Sequence, residues 1–170
     1  MIRAVVVAVM AALCIWALVA WAYRPLACNE WVNEMQARTD VARETGDSYR
    51  ATVMARDNLT ALRRREGPCR TTTLLYVLEA DNEDLLGRRE ASIDALRRAL
   101  TIDQRPELYF QIGTLLVELG RMDEAVESYV TGTRIRRSPT LGIPSPEAER
   151  RVKLRLEELE RARLERARRK

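Results

Sequence analysis

The chain has no histidine and a single phenylalanine. Without imidazole there is no side chain that by itself switches charge near neutral pH, and the commonest general base and zinc ligand are gone. Ser-His-Asp, Cys-His and metal-histidine chemistry are excluded together. Turn formers and aromatics are also scarce, with 7 Gly, 6 Pro and 5% aromatic residues. That composition, rich instead in Arg, Glu, Leu and Ala, favours helix over strand. Lysine is nearly absent too: Lys153 and Lys170 stand among 29 basic residues. The net charge of +4 arises wholly within residues 147–170, which hold ten basic and six acidic side chains. The basic character therefore belongs to a tail, while residues 1–146 balance to zero.

What is abundant is apolar sequence at the start. Residues 4–23 read AVVVAVMAALCIWALVAWAY, without charge, Gly or Pro. Twenty such residues span roughly 30 Å as a helix, the thickness of a hydrocarbon core. Arg3 precedes the run and Arg24-Pro25 is expected to end it, with Trp16, Trp21 and Tyr23 placed as an interfacial belt. Two readings stand. One is an uncleaved signal anchor; the other is a signal peptide cleaved at Ala20-Trp21-Ala22. The length of the run favours the anchor. The flanking arginines do not decide its orientation.

Downstream, residues 31–45 and 48–66 read as two helices joined at Gly46-Asp47 and stopped by Gly67-Pro68. The second carries an apolar stripe at Ala51, Ala55, Leu59 and Leu62. Cys28 lies just before the first helix and Cys69 just after the second, neighbouring ends of an antiparallel hairpin. A disulfide there would close a long loop, worth about 4 kcal/mol by the chain-entropy model, and would imply an oxidising compartment. Two free thiols are the alternative. Cys14, inside the apolar run, reads as a small hydrophobe.

Residues 73–138 repeat with a period of 33. Tyr76 matches Tyr109, Ala80 matches Gly113, and Gly87 matches Gly120. Ser92 matches Ala125, Leu96 matches Tyr129, and Ala99 matches Gly132. Large residues match large and small match small, the signature of stacked helix pairs. In the second copy, Tyr109, Ile112, Gly113, Leu116, Gly120, Ala125, Tyr129 and Gly132 resemble the tetratricopeptide repeat. The first copy departs from it: Glu79 and Glu83 occupy positions that are usually apolar, and Asp81 and Asn82 are weak helix formers, so its first helix is expected to fray or slip. A helix from Pro146, capped by Ser145, offers Val152, Leu156 and Leu159 as a covering stripe.

The expected architecture is all-α, divided as a transmembrane helix over 1–24, a hairpin over 25–72 that reads as a degenerate repeat, two repeats over 73–138, and a linker with a charged capping helix over 139–170. The resemblance implies a short α-solenoid that binds protein partners on the inner face of each repeat's first helix. By position that face holds Val77, Asp81 and Asp84, then Phe110, Thr114 and Val117. It lacks the basic clamp with which some members hold a terminal carboxylate. The cluster Glu79, Asp81, Glu83 and Asp84 lacks the glycine and ligand spacing of a calcium loop. The expectation is a non-enzymatic scaffold without cofactor or metal, single-pass in a bacterial inner membrane, with its helical domain on the periplasmic side and subunits of an envelope complex as partners. The alternative is a cytoplasm-facing protein whose Arg-rich final helix binds anionic lipid or nucleic acid. The interleaved glutamates and missing aromatics of that helix argue against nucleic acid.

Overall fold

The computed structural model describes residues 2–64, 72–136 and 142–168, and within the first helix the side chains of 9–19 and those from 27 onward. The described residues form seven helices: α1 (Ile2–Glu44), α2 (Ser48–Arg64), α3 (Thr73–Leu85), α4 (Arg89–Leu100), α5 (Pro106–Glu118), α6 (Met122–Arg136) and α7 (Pro146–Arg168). They fall into two compact units, Met1–Leu86 and Gly87–Lys170. The boundary cuts the first repeat copy between its two helices.

In the first unit, α1 does not stop at Arg24-Pro25. It continues as one helix of 43 residues. An interior proline forfeits one backbone hydrogen bond and costs about 3 kcal/mol, and the packing of the helix's later turns against α2 and α3 offsets that loss. The side chains of Val9 to Val19 are all exposed. Among the described residues no helix is long and apolar enough to cross a membrane. Further along, Val32 and Met35 enter a core with Leu62 and Leu78, with Cys28, Trp31, Ala61 and Leu75 packed around it. The Gly46-Asp47 turn starts α2 as its composition suggests: the Asp47 carboxylate accepts from the amides of Tyr49 at 2.9 Å and Arg50 at 3.2 Å.

The helix expected to fray is intact. α3 runs without a break, capped by Thr72, whose hydroxyl accepts from the Leu75 amide. Its weak helix formers are held from outside. Asn82 is fully buried and donates to the Thr39 hydroxyl at 2.9 Å and the Leu78 carbonyl at 2.7 Å, while its own carbonyl accepts from Asn58 at 3.2 Å. One polar side chain from each of three helices thus meets in the core, and their hydrogen bonds offset the cost of burial. The two glutamates at apolar positions are both reached from α2. Arg63 pairs with Glu79 at 3.3 Å and with the buried Glu83. Asp81 reaches Arg43 of α1 at 3.2 Å.

In the second unit, α5 ends in a Schellman turn. The Gly120 amide donates to the Val117 carbonyl and the Arg121 amide to that of Leu116, with Gly120 at a φ of 73°. Gly87, its counterpart one period earlier, has a φ of 70°. Both positions need the left-handed region, which explains why glycine recurs there. The Ser145 hydroxyl accepts from the Ala148 amide at 3.2 Å and starts α7. This helix buries Ala148 and Val152. Its Arg151 pairs with Asp123 at 2.8 Å, and its Arg155 with Glu127 at 3.1 Å. Both pairs advance four positions in the same sense, so α6 and α7 run parallel. A further repeat helix joined by a tight turn would run antiparallel; the nine residues 137–145 stand here in place of that turn.

Candidate partner-binding surface

The site expected from sequence depends on how closely α5 and α6 approach. Gly113 sets that distance on α5: a Cβ built there would lie 2.7 Å from the Tyr129 ring. Gly132 does the same on α6, where a Cβ would meet the Phe110 ring at 3.0 Å and the Pro106 carbonyl at 3.1 Å. Ala125 and Tyr129 are fully buried between them. Ser128 ties the pair by donating to the Tyr109 carbonyl at 2.9 Å. The remaining repeat positions follow suit, with Ala80, Ser92, Leu96 and Ala99 buried and Tyr76 and Tyr109 half-buried.

On the inner face of α5, Phe110, Thr114 and Val117 are all half-buried. Phe110 serves the hairpin as well, since its ring stands 5.7 Å from that of Tyr129, tilted by 54°. Thr114 donates to the Phe110 carbonyl at 3.0 Å and lies 3.1 Å from the Tyr129 hydroxyl. Burial pushes the Tyr129 phenol above its ordinary pKa, against the Thr114 hydrogen bond, and Glu118 adds to the rise. The open part of this face is consequently narrower than the pattern suggests, since Phe110, Thr114 and Val117 are each only partly exposed. The opposite flank of α5, with Tyr109, Ile112 and Leu116, lines a separate open groove of about 510 Å³ shared with α4 and α6.

The other expected trio lies on α3, in the first unit. Val77 is half-buried and Asp84 exposed. Asp81 is engaged by Arg43, and burial raises its pKa above the ordinary carboxylate value, with the Arg43 charge and hydrogen bond opposing that rise. Asp81 is thus turned to internal use, while Asp84 beside it is exposed. Likewise, Glu79 and Glu83 serve Arg63. Among the described residues no group of three or more His, Cys, Asp or Glu is placed to hold a metal ion. Cys28 packs at the edge of the first unit's core, and its expected partner Cys69 lies outside the described residues, as does Gly67-Pro68.

Sequence reasoning missed the buried Thr39, Asn58 and Asn82, whose partners lie 19 to 43 residues apart. It also missed the second role of Phe110. The available signal was Gly132, a small residue on α6 that invites a ring from α5.

Residues 106–139 match the family model of the tetratricopeptide repeat. No curated protein matches the chain. Among solved structures it is similar to a thermophilic tetratricopeptide-repeat protein of Thermus thermophilus, known from a crystal structure. The two share 21% identity and a TM-score of 0.58, over 82% of this chain and 68% of that one. At that identity the likeness is one of fold. The match over residues 106–139 takes in helices α5 and α6, which are similar to one tetratricopeptide repeat, and the described residues share the all-helical fold of a tetratricopeptide-repeat protein.

Proposed function

We propose that this chain is a non-enzymatic interaction module, held at a bacterial inner membrane through residues 4–23, with its helical units on the periplasmic side and a protein partner drawn from an envelope complex. The observation that carries the reading is the α5–α6 hairpin. Its small-on-large crossing makes a rigid support, and rigid elements hold a binding surface at low entropic cost. On that support Phe110, Thr114 and Val117 keep apolar surface open to a partner. In the first unit, Val77 and Asp84 of α3 offer a surface of the same kind with an acidic edge. For the membrane segment, the support is the uncharged run at 4–23 and the exposure of every described side chain from Val9 to Val19, Trp16 included. A soluble chain has no reason to display eleven successive residues of this kind. For the compartment, the support is Cys28, which packs against the cluster holding Leu62 near the end of α2, a short stretch of chain before Cys69. Among the described residues the free thiol is Cys14. We assign a Cys28–Cys69 disulfide on this basis.

The binding surface is tested by photo-crosslinking in cells. Benzoylphenylalanine at Val117 or at Asp84 should give the same discrete adduct, and the same residue at Asp94, exposed on α4, should give none. Adducts of equal yield from Asp94, or from none of the three, would move the binding surface elsewhere.

A further inference from the structure

The parallel pairing of α6 and α7 changes character along its length. At its start, each arginine of α7 that faces α6 finds an acid: Arg151 meets Asp123, and Arg155 meets Glu127. Beyond Glu127 α6 offers no further acid, and its last turn carries Arg134 and Arg136. A single stripe of α7 passes through Ala148, Val152, Leu156, Leu159, Arg163 and Arg166, at helical spacing. Its first two members are fully buried, Leu156 and Leu159 are half-covered, and Arg163 and Arg166 are exposed. Opposite this later part stands Arg134, and between the two helices lies an open groove of about 810 Å³. Leu156, Leu159 and Ala162 form its floor, and Arg134, Arg163 and Arg166 its rim. None of these three arginines makes an ion pair among the described residues. One acid, Glu160, also borders the groove, which leaves a local excess of two positive charges.

We infer that this groove is a second docking site, distinct from the α5 face, and that its occupant is an acidic amphipathic helix of another protein. Charge complementarity selects the sign. Arg134 lines the groove together with Arg163 and Arg166, and the excess positive charge on its rim favours an occupant that brings negative groups. The apolar floor selects the kind of partner. A phosphate-bearing polymer has no use for two leucines and an alanine, and the groove offers no aromatic on which a base could stack. A helix with leucines at i and i+3 or i+4 and glutamates on either flank satisfies floor and rim together, in the helix-in-groove manner.

The test uses the full chain in a non-ionic detergent and a labelled helical probe with two turn-spaced leucines flanked by glutamates. A second probe replaces every glutamate with lysine. The glutamate probe should bind, and its affinity should exceed that of the lysine probe by about tenfold or more, since several charge pairs form. Arg163→Glu combined with Arg166→Glu should reverse that preference, and Leu159→Asp should abolish binding of both probes. Circular dichroism melting of each variant shows whether α7 remains folded. Competition by uridine homopolymer RNA, or by phosphatidylglycerol added to the micelles, that needs the arginines and ignores Leu159→Asp would overturn the inference in favour of a phosphate ligand. Self-association that occupies the groove without any probe, and is lost in Leu159→Asp, would overturn it in favour of a second copy of this chain. Equal binding of both probes would also overturn it.

Discussion

Replacing Gly113 with alanine puts a methyl group 2.7 Å from the Tyr129 ring. That ring is fully buried, stacked at a tilt on Phe110 and hydrogen-bonded to Thr114, so it has nowhere to go. The expected cost is about 1–3 kcal/mol of overpacking, reduced by the roughly 1 kcal/mol that alanine gains over glycine within a helix. Tyr129→Leu should absorb much of the penalty, so the two changes should couple in a double-mutant cycle read by urea unfolding. Additive effects would show that the crossing is not where Gly113 and Tyr129 place it. Asp81 gives a second residue-level test. Burial raises its folded pKa above the unfolded value despite Arg43. The native state then takes up a proton before the unfolded chain does. Stability from this site therefore rises as pH falls through the interval just above the ordinary carboxylate pKa of about 4, and is lost again as pH rises through it. Against Asp81→Asn, the wild type should gain in urea midpoint on acidification across that interval. A difference that stays flat, or moves the other way, would mean that Arg43 outweighs burial. At this scale the small positions of the repeat were legible because a steric need writes itself into residue size. The Thr39, Asn58 and Asn82 contacts were not, because each is local only in space and each residue alone looks like a poor helix former.

Helices carry a different lesson. The turns at Gly46-Asp47, Gly120 and Ser145 were readable because capping and left-handed backbone need particular residue types close together. The continuity of α1 through Pro25 and the integrity of α3 were not, since in both cases packing against other helices overrides local preference. Direction is a third case. The stripe Val152, Leu156 and Leu159 marks the side of α7 that is covered, but a stripe reads the same in either sense, so the parallel run against α6 is visible in the ion pairs and not in the stripe. The apolar contact, and not those exposed pairs, holds the helix down. Val152→Asp places a charge at a fully buried position and should strip hydrogen-exchange protection from amides 148–160 while those of α5 and α6 keep theirs. Arg151→Ala should leave the protection pattern unchanged. Loss of protection in Arg151→Ala alone would reverse that ranking.

For the chain as a whole, the issue is how the first half of α1 is used. This helix has 43 residues, roughly 65 Å at 1.5 Å per residue, and among the described residues the core of its unit engages it at Cys28, Trp31, Val32 and Met35. The preceding turns display Val9, Leu13, Trp16 and Leu18 to their surroundings. Eleven such residues held in water would expose apolar area with nothing gained, and the proposed insertion in a bilayer would remove that cost. The prediction is that the mature protein keeps Met1 or Ile2 and stays with membranes through a high-salt wash. A mature N-terminus at Tyr23, with release into the soluble fraction, would end the anchor and leave only the helical units. Orientation then follows from the thiols. Blocking free cysteines with a membrane-impermeant maleimide before lysis, followed by non-reducing mass spectrometry, should recover a peptide linking Cys28 to Cys69, since outside the cytoplasm a bridge closing so long a loop persists. If both cysteines are instead alkylated only after lysis, with no reductant added, the helical units lie in the cytoplasm. The α5 face would then have to find its partner among cytoplasmic proteins, while the α6–α7 groove, whose arginines and leucines do not depend on the compartment, would keep its preference for an acidic helix.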